Sequence, residues 1–68
     1  MFTIKAVWKH SDFPSYSVYT AEKYCVGRRG DTNVTTVMID DIREIAVGEG
    51  DRVYVMNEHG STIDTIIA

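Results

Sequence analysis

Cys25 is the only thiol of the chain, and His10 and His59 are its two imidazoles. These are the residue types of a thiolate nucleophile and its base. Their arrangement does not support that chemistry. Nothing in the sequence brings either histidine to the thiol, and no glycine segment follows Cys25 to form an oxyanion site. The same three residues do not stand at zinc-ligand spacing. Cys25 therefore reads better as a small buried apolar side chain. Asp40 and Asp41 could hold a divalent cation, but one carboxylate pair without further ligands at loop spacing is weak. Capping of a helix or strand is the stronger reading. "GRRG" and "GEG" are too short to cradle a phosphate and lack the lysine and hydroxyl that must follow. No catalytic set, metal centre or cofactor site is expected, and the chain reads as a non-enzyme.

The aromatic residues carry more information. Phe2, Trp8, Phe13, Tyr16, Tyr19 and Tyr24 all fall in the first third of the chain, with Tyr54 alone beyond it. They cannot all be buried on one face of a small sheet. Tryptophan and tyrosine left at a surface beside arginine or lysine are common anchors of protein interfaces. They are also platforms on which bases stack. Lys9, Lys23, Arg28 and Arg29 lie in the same half. Trp8, Tyr16, Tyr19, Arg28 and Arg29 are therefore the expected binding residues, with burial in the core as the competing reading. Trp8→Ala or Tyr19→Ala should then abolish the contact without unfolding the domain. Arg29-Gly30-Asp31 spells an adhesion tripeptide and Asn33-Val34-Thr35 a glycosylation acceptor, but without a secretion signal both read as turn residues.

The elements that position these residues read mainly as strands. Phe2, Ile4, Ala6 and Trp8 alternate with Thr3, Lys5 and Lys9, the period of a strand with one buried face. "YSVYTAEKYCV" changes parity midway; a bulge near Thr20–Lys23 would reconcile its faces, with a helix as competitor. "GRRGDTN" has turn composition, so a hairpin is expected across residues 27–33 before the strand "VTTVMI". "DDIREIAV" fits either a two-turn helix near residues 41–47, capped by Asp41 and Glu44, or a short strand at Arg43–Val47. The last hairpin turns at "NEHG", with Gly60 in a left-handed conformation and His59 exposed at the tip. A three-residue loop predicts Met56–Thr62, Val55–Ile63, Tyr54–Asp64 and Val53–Thr65 as pairs. That places Val53, Val55, Ile63 and Ile67 on the core face, and Arg52, Tyr54, Met56, Thr62 and Asp64 on the other. About five strands make a small, bent antiparallel sheet or a partly open barrel.

Sixty-eight residues make a single domain, residues 1–68. A core of that size supplies only about 3–5 kcal/mol of net stability without help. One cysteine excludes an internal disulfide, so a homodimer through an edge strand is the expected source of support. The single thiol and an opening "MFTIKAVWKHSD" without signal-peptide character point to the cytoplasm. No apolar run approaches the length of a spanning helix, so no membrane partner is expected. The net charge of −3 is uneven: residues 1–39 carry five basic and three acidic side chains, residues 40–68 two and seven. The acidic half makes generic nucleic-acid binding an unfavourable expectation.

The closing stretch "DRVYVMNEHGSTIDTI" resembles the endings of small uncharacterised accessory proteins of tailed bacteriophages, which close with an aromatic-valine-methionine-asparagine strand, a glycine turn and a threonine-rich strand. "AEKYCV" before a turn is similar more loosely. The resemblance covers about a third of the chain and assigns no residue a role. It implies a phage accessory protein that modulates or blocks a bacterial host protein in the host cytoplasm. With the aromatic-basic residues, it yields the expectation of a small binding protein. The alternative is sequestration of a nucleotide or single-stranded nucleic acid between aromatic rings, with Arg28 and Arg29 on phosphate.

Overall fold

The computed structural model describes residues 1–9, 15–30 and 34–67, and these form seven strands and no helix. They are β1 (Phe2–Trp8), β2 (Ser15–Ala21), β3 (Tyr24–Arg28), β4 (Thr35–Ile39), β5 (Arg43–Val47), β6 (Arg52–Met56) and β7 (Thr62–Ile67). A four-stranded antiparallel sheet has the order β2-β1-β6-β7, and a three-stranded one the order β3-β4-β5. The two do not join into a closed barrel. The smaller sheet is a meander lying in sequence between the two hairpins that build the larger one.

Alternation decides what the strands bury. Ile4 and Ala6 of β1, Val53 and Val55 of β6 and Ile66 of β7 form one side of a single core; Val37, Ile39, Ile45 and Val47 of the smaller sheet form the other. Phe2, Trp8, Tyr19 and Tyr24 pack around its margin, as the alternation of β1 implied for Phe2 and Trp8. Bridges tie the sheets together at the rim. The Tyr24 hydroxyl of β3 donates to Asp64 Oδ2 of β7 at 3.2 Å, and its ring meets Phe2 edge-on at 5.3 Å. The Arg43 guanidinium of β5 lies 5.2 Å above the Tyr19 ring of β2.

Turn chemistry fixes the connections. Asp40 and Asp41 both have positive φ, 53° and 58°, and Ile42 N–H donates to the Ile39 carbonyl at 3.1 Å. This is the turn whose twist matches a hairpin, and aspartate is among the few residues that tolerate it. Asp40 Oδ1 also accepts from the backbone of Glu22 and Lys23 at 2.9 and 3.0 Å, locking the β2–β3 turn against the β4–β5 turn. At the last hairpin Asn57 Oδ1 accepts from His59 and Ser61 N–H, and Gly60 takes φ 81°. His59 is exposed there, as "NEHG" suggested.

One buried carboxylate stands out. Asp51, before β6, is 7% exposed. Its Oδ1 accepts from Lys9 N–H at 2.8 Å and its Oδ2 from Gly48 N–H at 3.1 Å. It thereby ties the end of β1 to the turn between β5 and β6.

Several expectations are corrected. Seven short strands replace about five, because residues 16–26 are neither one bulged strand nor a helix. They break at Glu22–Lys23, where the chain leaves one sheet for the other. Residues 43–47 are strand β5; pairing with β4 outweighs the capping pattern that favoured a helix. In the last hairpin Met56 pairs with Thr62 as expected, but Val55 then faces Asp64, Tyr54 faces Thr65 and Val53 faces Ile66. A bulge at Ile63 shifts the register by one residue, which moves every later side chain to the opposite face. Ile66 is therefore buried, Ile63 and Ile67 are 49% and 61% exposed, and Asp64 lies on the core side of β7. Cys25 is exposed rather than buried, because it occupies the outward parity of β3, an edge strand. The hairpin across residues 27–33 is present as β3–β4, with residues 31–33 of its turn outside the described segments.

Burial, and after it the hydrogen bond to Asp64, raise the pKa of the Tyr24 phenol. A raised folded value means that the proton is held more tightly in the folded state. The associated stabilisation is complete below the unfolded value of about 10 and is lost as pH rises through the folded value. Tyr24→Phe removes that titration. Between about pH 8 and about pH 11 the urea midpoint of the parent should therefore fall further than that of the variant. Parallel pH profiles would show that the phenol's pKa is not raised by folding.

Candidate functional site

The core takes one face of the four-stranded sheet and leaves the other without a covering layer among the described residues. Register shows what stands on that outer face. One row across the strands reads Tyr16, Val7, Arg52 and Ile67; the next reads Val18, Lys5, Tyr54 and Thr65; the third reads Thr20, Thr3, Met56 and Thr62. Tyr16, Val18 and Ile67 are exposed, while Val7, Tyr54 and Met56 are half-buried among their neighbours. Lys5 and Arg52 supply the only charges in these rows, and both are cationic. No carboxylate stands there, although the chain as a whole is acidic. Asp64, the nearest acidic residue on these strands, is turned to the other side by the bulge in β7.

Lys5 Nζ sits 4.6 Å from the centre of the Tyr16 ring. A cation over an exposed ring contributes about 0.5–1 kcal/mol, enough to bias the orientation of both side chains. The face thus presents two tyrosines on β2 and β6, a cation between them on β1, and aliphatic side chains at its corners. This composition resembles the core of a protein interface, which is rich in aromatics and poor in acidic residues.

The five residues singled out from sequence do not share this face. Tyr16 alone stands on it, 62% exposed. Trp8 and Tyr19 point to the core side, and Trp8 Nε1 donates to Ser17 Oγ at 3.2 Å. Arg28 and Arg29 lie in and just after β3 of the smaller sheet, where Arg29 pairs with Glu44 at 2.6 Å. Lys5, Arg52 and Tyr54 were missed as site residues. Their signal was present in the alternation, which set Arg52, Tyr54 and Met56 opposite the core. What the sequence lacked was the β1–β6 pairing that sets Lys5 beside Tyr54.

Among the described residues no group of three or more His, Cys, Asp or Glu side chains is placed to hold a metal ion. Likewise no helix in them is long and apolar enough to cross a membrane. No family model, curated protein or solved structure matches the chain.

Proposed function

We propose that this domain is a non-enzymatic binding protein that docks a partner protein on the outer face of its four-stranded sheet and blocks or modulates it. The observation that supports this is the face itself: exposed Tyr16 and Val18 with Tyr54, Met56 and Ile67, and no carboxylate, in an acidic chain. Burying such a surface against a partner removes apolar area from water without stranding an anion. The resemblance of the last hairpin to phage accessory proteins makes a bacterial host protein the first partner to seek.

Capture from nuclease-treated bacterial lysate, read by mass spectrometry, tests the proposal. One stoichiometric protein is expected with the parent. Tyr16→Ala should lose it while the melting temperature stays nearly unchanged, because exposed substitutions commonly alter stability by less than about 0.5 kcal/mol. Capture that survives both Tyr16→Ala and Tyr54→Ala would move the contact off this face.

A nucleotide or single-stranded nucleic acid is the second reading of the same face. It is favoured by one observation: among the described residues the charges in the rows of Tyr16 and Tyr54 are Lys5 and Arg52, which suit stacked bases with phosphate alongside. A ligand at a hundredfold excess over its dissociation constant stabilises by about 2.7 kcal/mol, which a thermal shift resolves. No shift with nucleotides or short oligonucleotides would remove this reading.

A further inference from the structure

The flank of the molecule between β3 and β7 is open. β7 is the last strand of the larger sheet and β3 the first of the smaller, so each presents an edge there. A groove of about 530 Å³ runs between them, lined by Val26 and Arg28 on one side and by Asp64, Thr65, Ile66 and Ile67 on the other. Val26 shares its face of β3 with Tyr24, toward the core, yet is 48% exposed, whereas its cross-strand neighbour Val37 is fully buried. The core reaches this flank without being sealed.

Edge strands are normally blunted by lysine, proline or strong twisting. β7, with the sequence TIDTII, has no proline, no glycine and no cation. Its one bulge lies at its beginning, opposite Val55 and Met56, and leaves the remainder regular. Ile63 and Ile67 are exposed along it.

We propose that this edge pairs with β7 of a second copy of the chain, in antiparallel register about a two-fold axis at Thr65. The register follows from the exposed isoleucines, since centring on Thr65 sets Ile63 of each copy opposite Ile67 of the other. Charge supports the same arrangement. Tyr24 marks the Asp64 end of the groove through its hydrogen bond, and Arg28, further along β3, lines the same groove as Ile66 and Ile67. An antiparallel copy reverses β7, so its Asp64 lies opposite Ile66, at the Arg28 end. Arg28 makes no ion pair among the described residues, and Asp64 uses only Oδ2 toward Tyr24. The two-fold axis forms the Arg28–Asp64 pair twice. The contact is self-complementary, as a two-fold interface must be. It adjoins the docking face proposed above, at Thr65 and Ile67, but does not depend on a partner binding there.

Light scattering coupled to gel filtration at micromolar concentration decides the matter. The parent is expected at twice the mass of one chain. Ile67→Lys places a cation on the edge and should give a folded monomer by circular dichroism. Ile42→Lys is the control: Ile42 is 87% exposed but sits in the β4–β5 turn, so this variant should remain dimeric. Should Ile67→Lys lose its fold, Arg28→Glu reads the same interface from the other lip, with a dimer weakened roughly tenfold or more. A monomeric parent overturns the proposal, as does dissociation of the Ile42→Lys control. Undiminished dimerisation in folded Ile67→Lys, or in Arg28→Glu, overturns it equally.

Discussion

Asp51→Ala should lower the stability of this domain by about 3 kcal/mol, the largest loss expected from any single polar substitution in it. The side chain is 7% exposed and accepts two backbone hydrogen bonds, from Lys9 and from Gly48. A hydrogen bond to a charged group contributes about 1.5–3 kcal/mol, and removing the acceptor leaves both donors unpaired at a part-buried site. Gly50, the preceding residue, adopts φ 89°, so the turn has little freedom to rearrange around other residue types. A domain of this size holds only about 3–5 kcal/mol in reserve. The alanine variant should therefore be largely unfolded well below the melting temperature of the parent. Asp51→Asn should fall between them, because its amide can accept from one of the two N–H groups while its own N–H₂ opposes the other. Urea titration followed by circular dichroism gives all three values. A loss below about 1 kcal/mol for alanine would mean that the two donors find water instead.

Ile4→Ala should cost about 2–5 kcal/mol, the range for deleting a fully buried aliphatic side chain. Ile4 lies at the centre of the larger sheet, between Tyr19 of β2 and Val55 of β6, with no exposed surface. Its removal leaves a cavity bounded by two paired strands, which cannot collapse without breaking their register. Ile67→Ala is the matched comparison. It deletes the same atoms from a side chain 61% exposed, and in the dissociated monomer should cost less than about 1 kcal/mol. Equal losses at the two positions would mean that burial is wrongly divided between Ile66 and Ile67.

That division shows where the sequence stops being legible. The period of β1 could be read because alternation is local and nothing interrupts it. The turn at Asn57–Gly60 could be read because Asn and Gly each have a conformational reason to be there. The bulge one residue beyond Thr62 could not. It exists because Ile66 packs into a core shared with the second sheet, and packing chose among registers that the turn alone left open. The Asp40–Asp41 pair was recognised as structural, but its left-handed geometry depends on backbone donors from Glu22 and Lys23. The candidate face was legible strand by strand and not as a surface. Tyr16 and Tyr54 share it only because β1 pairs with both of their strands, and no local pattern announces such a pairing. Trp8 and Tyr19 show the same limit: the chain's aromatic density is evident, but which rings face the core is set by partners distant in sequence.

The order β2-β1-β6-β7 also governs how the chain reaches this state. Four of the five strand pairings in the two sheets join strands consecutive in sequence, and local hairpins of that kind form in about 1–10 microseconds. The β1–β6 pairing alone joins distant segments, with the whole three-stranded meander between them. Long-range pairing of this type dominates folding time, because the chain must be brought together before the contact rewards it. Until it forms, the strand destined for the middle of the larger sheet is itself an unprotected edge. Species that precede this one seam therefore expose more adhesive backbone than the finished molecule does, and crowded or hot conditions should cause aggregation through them first.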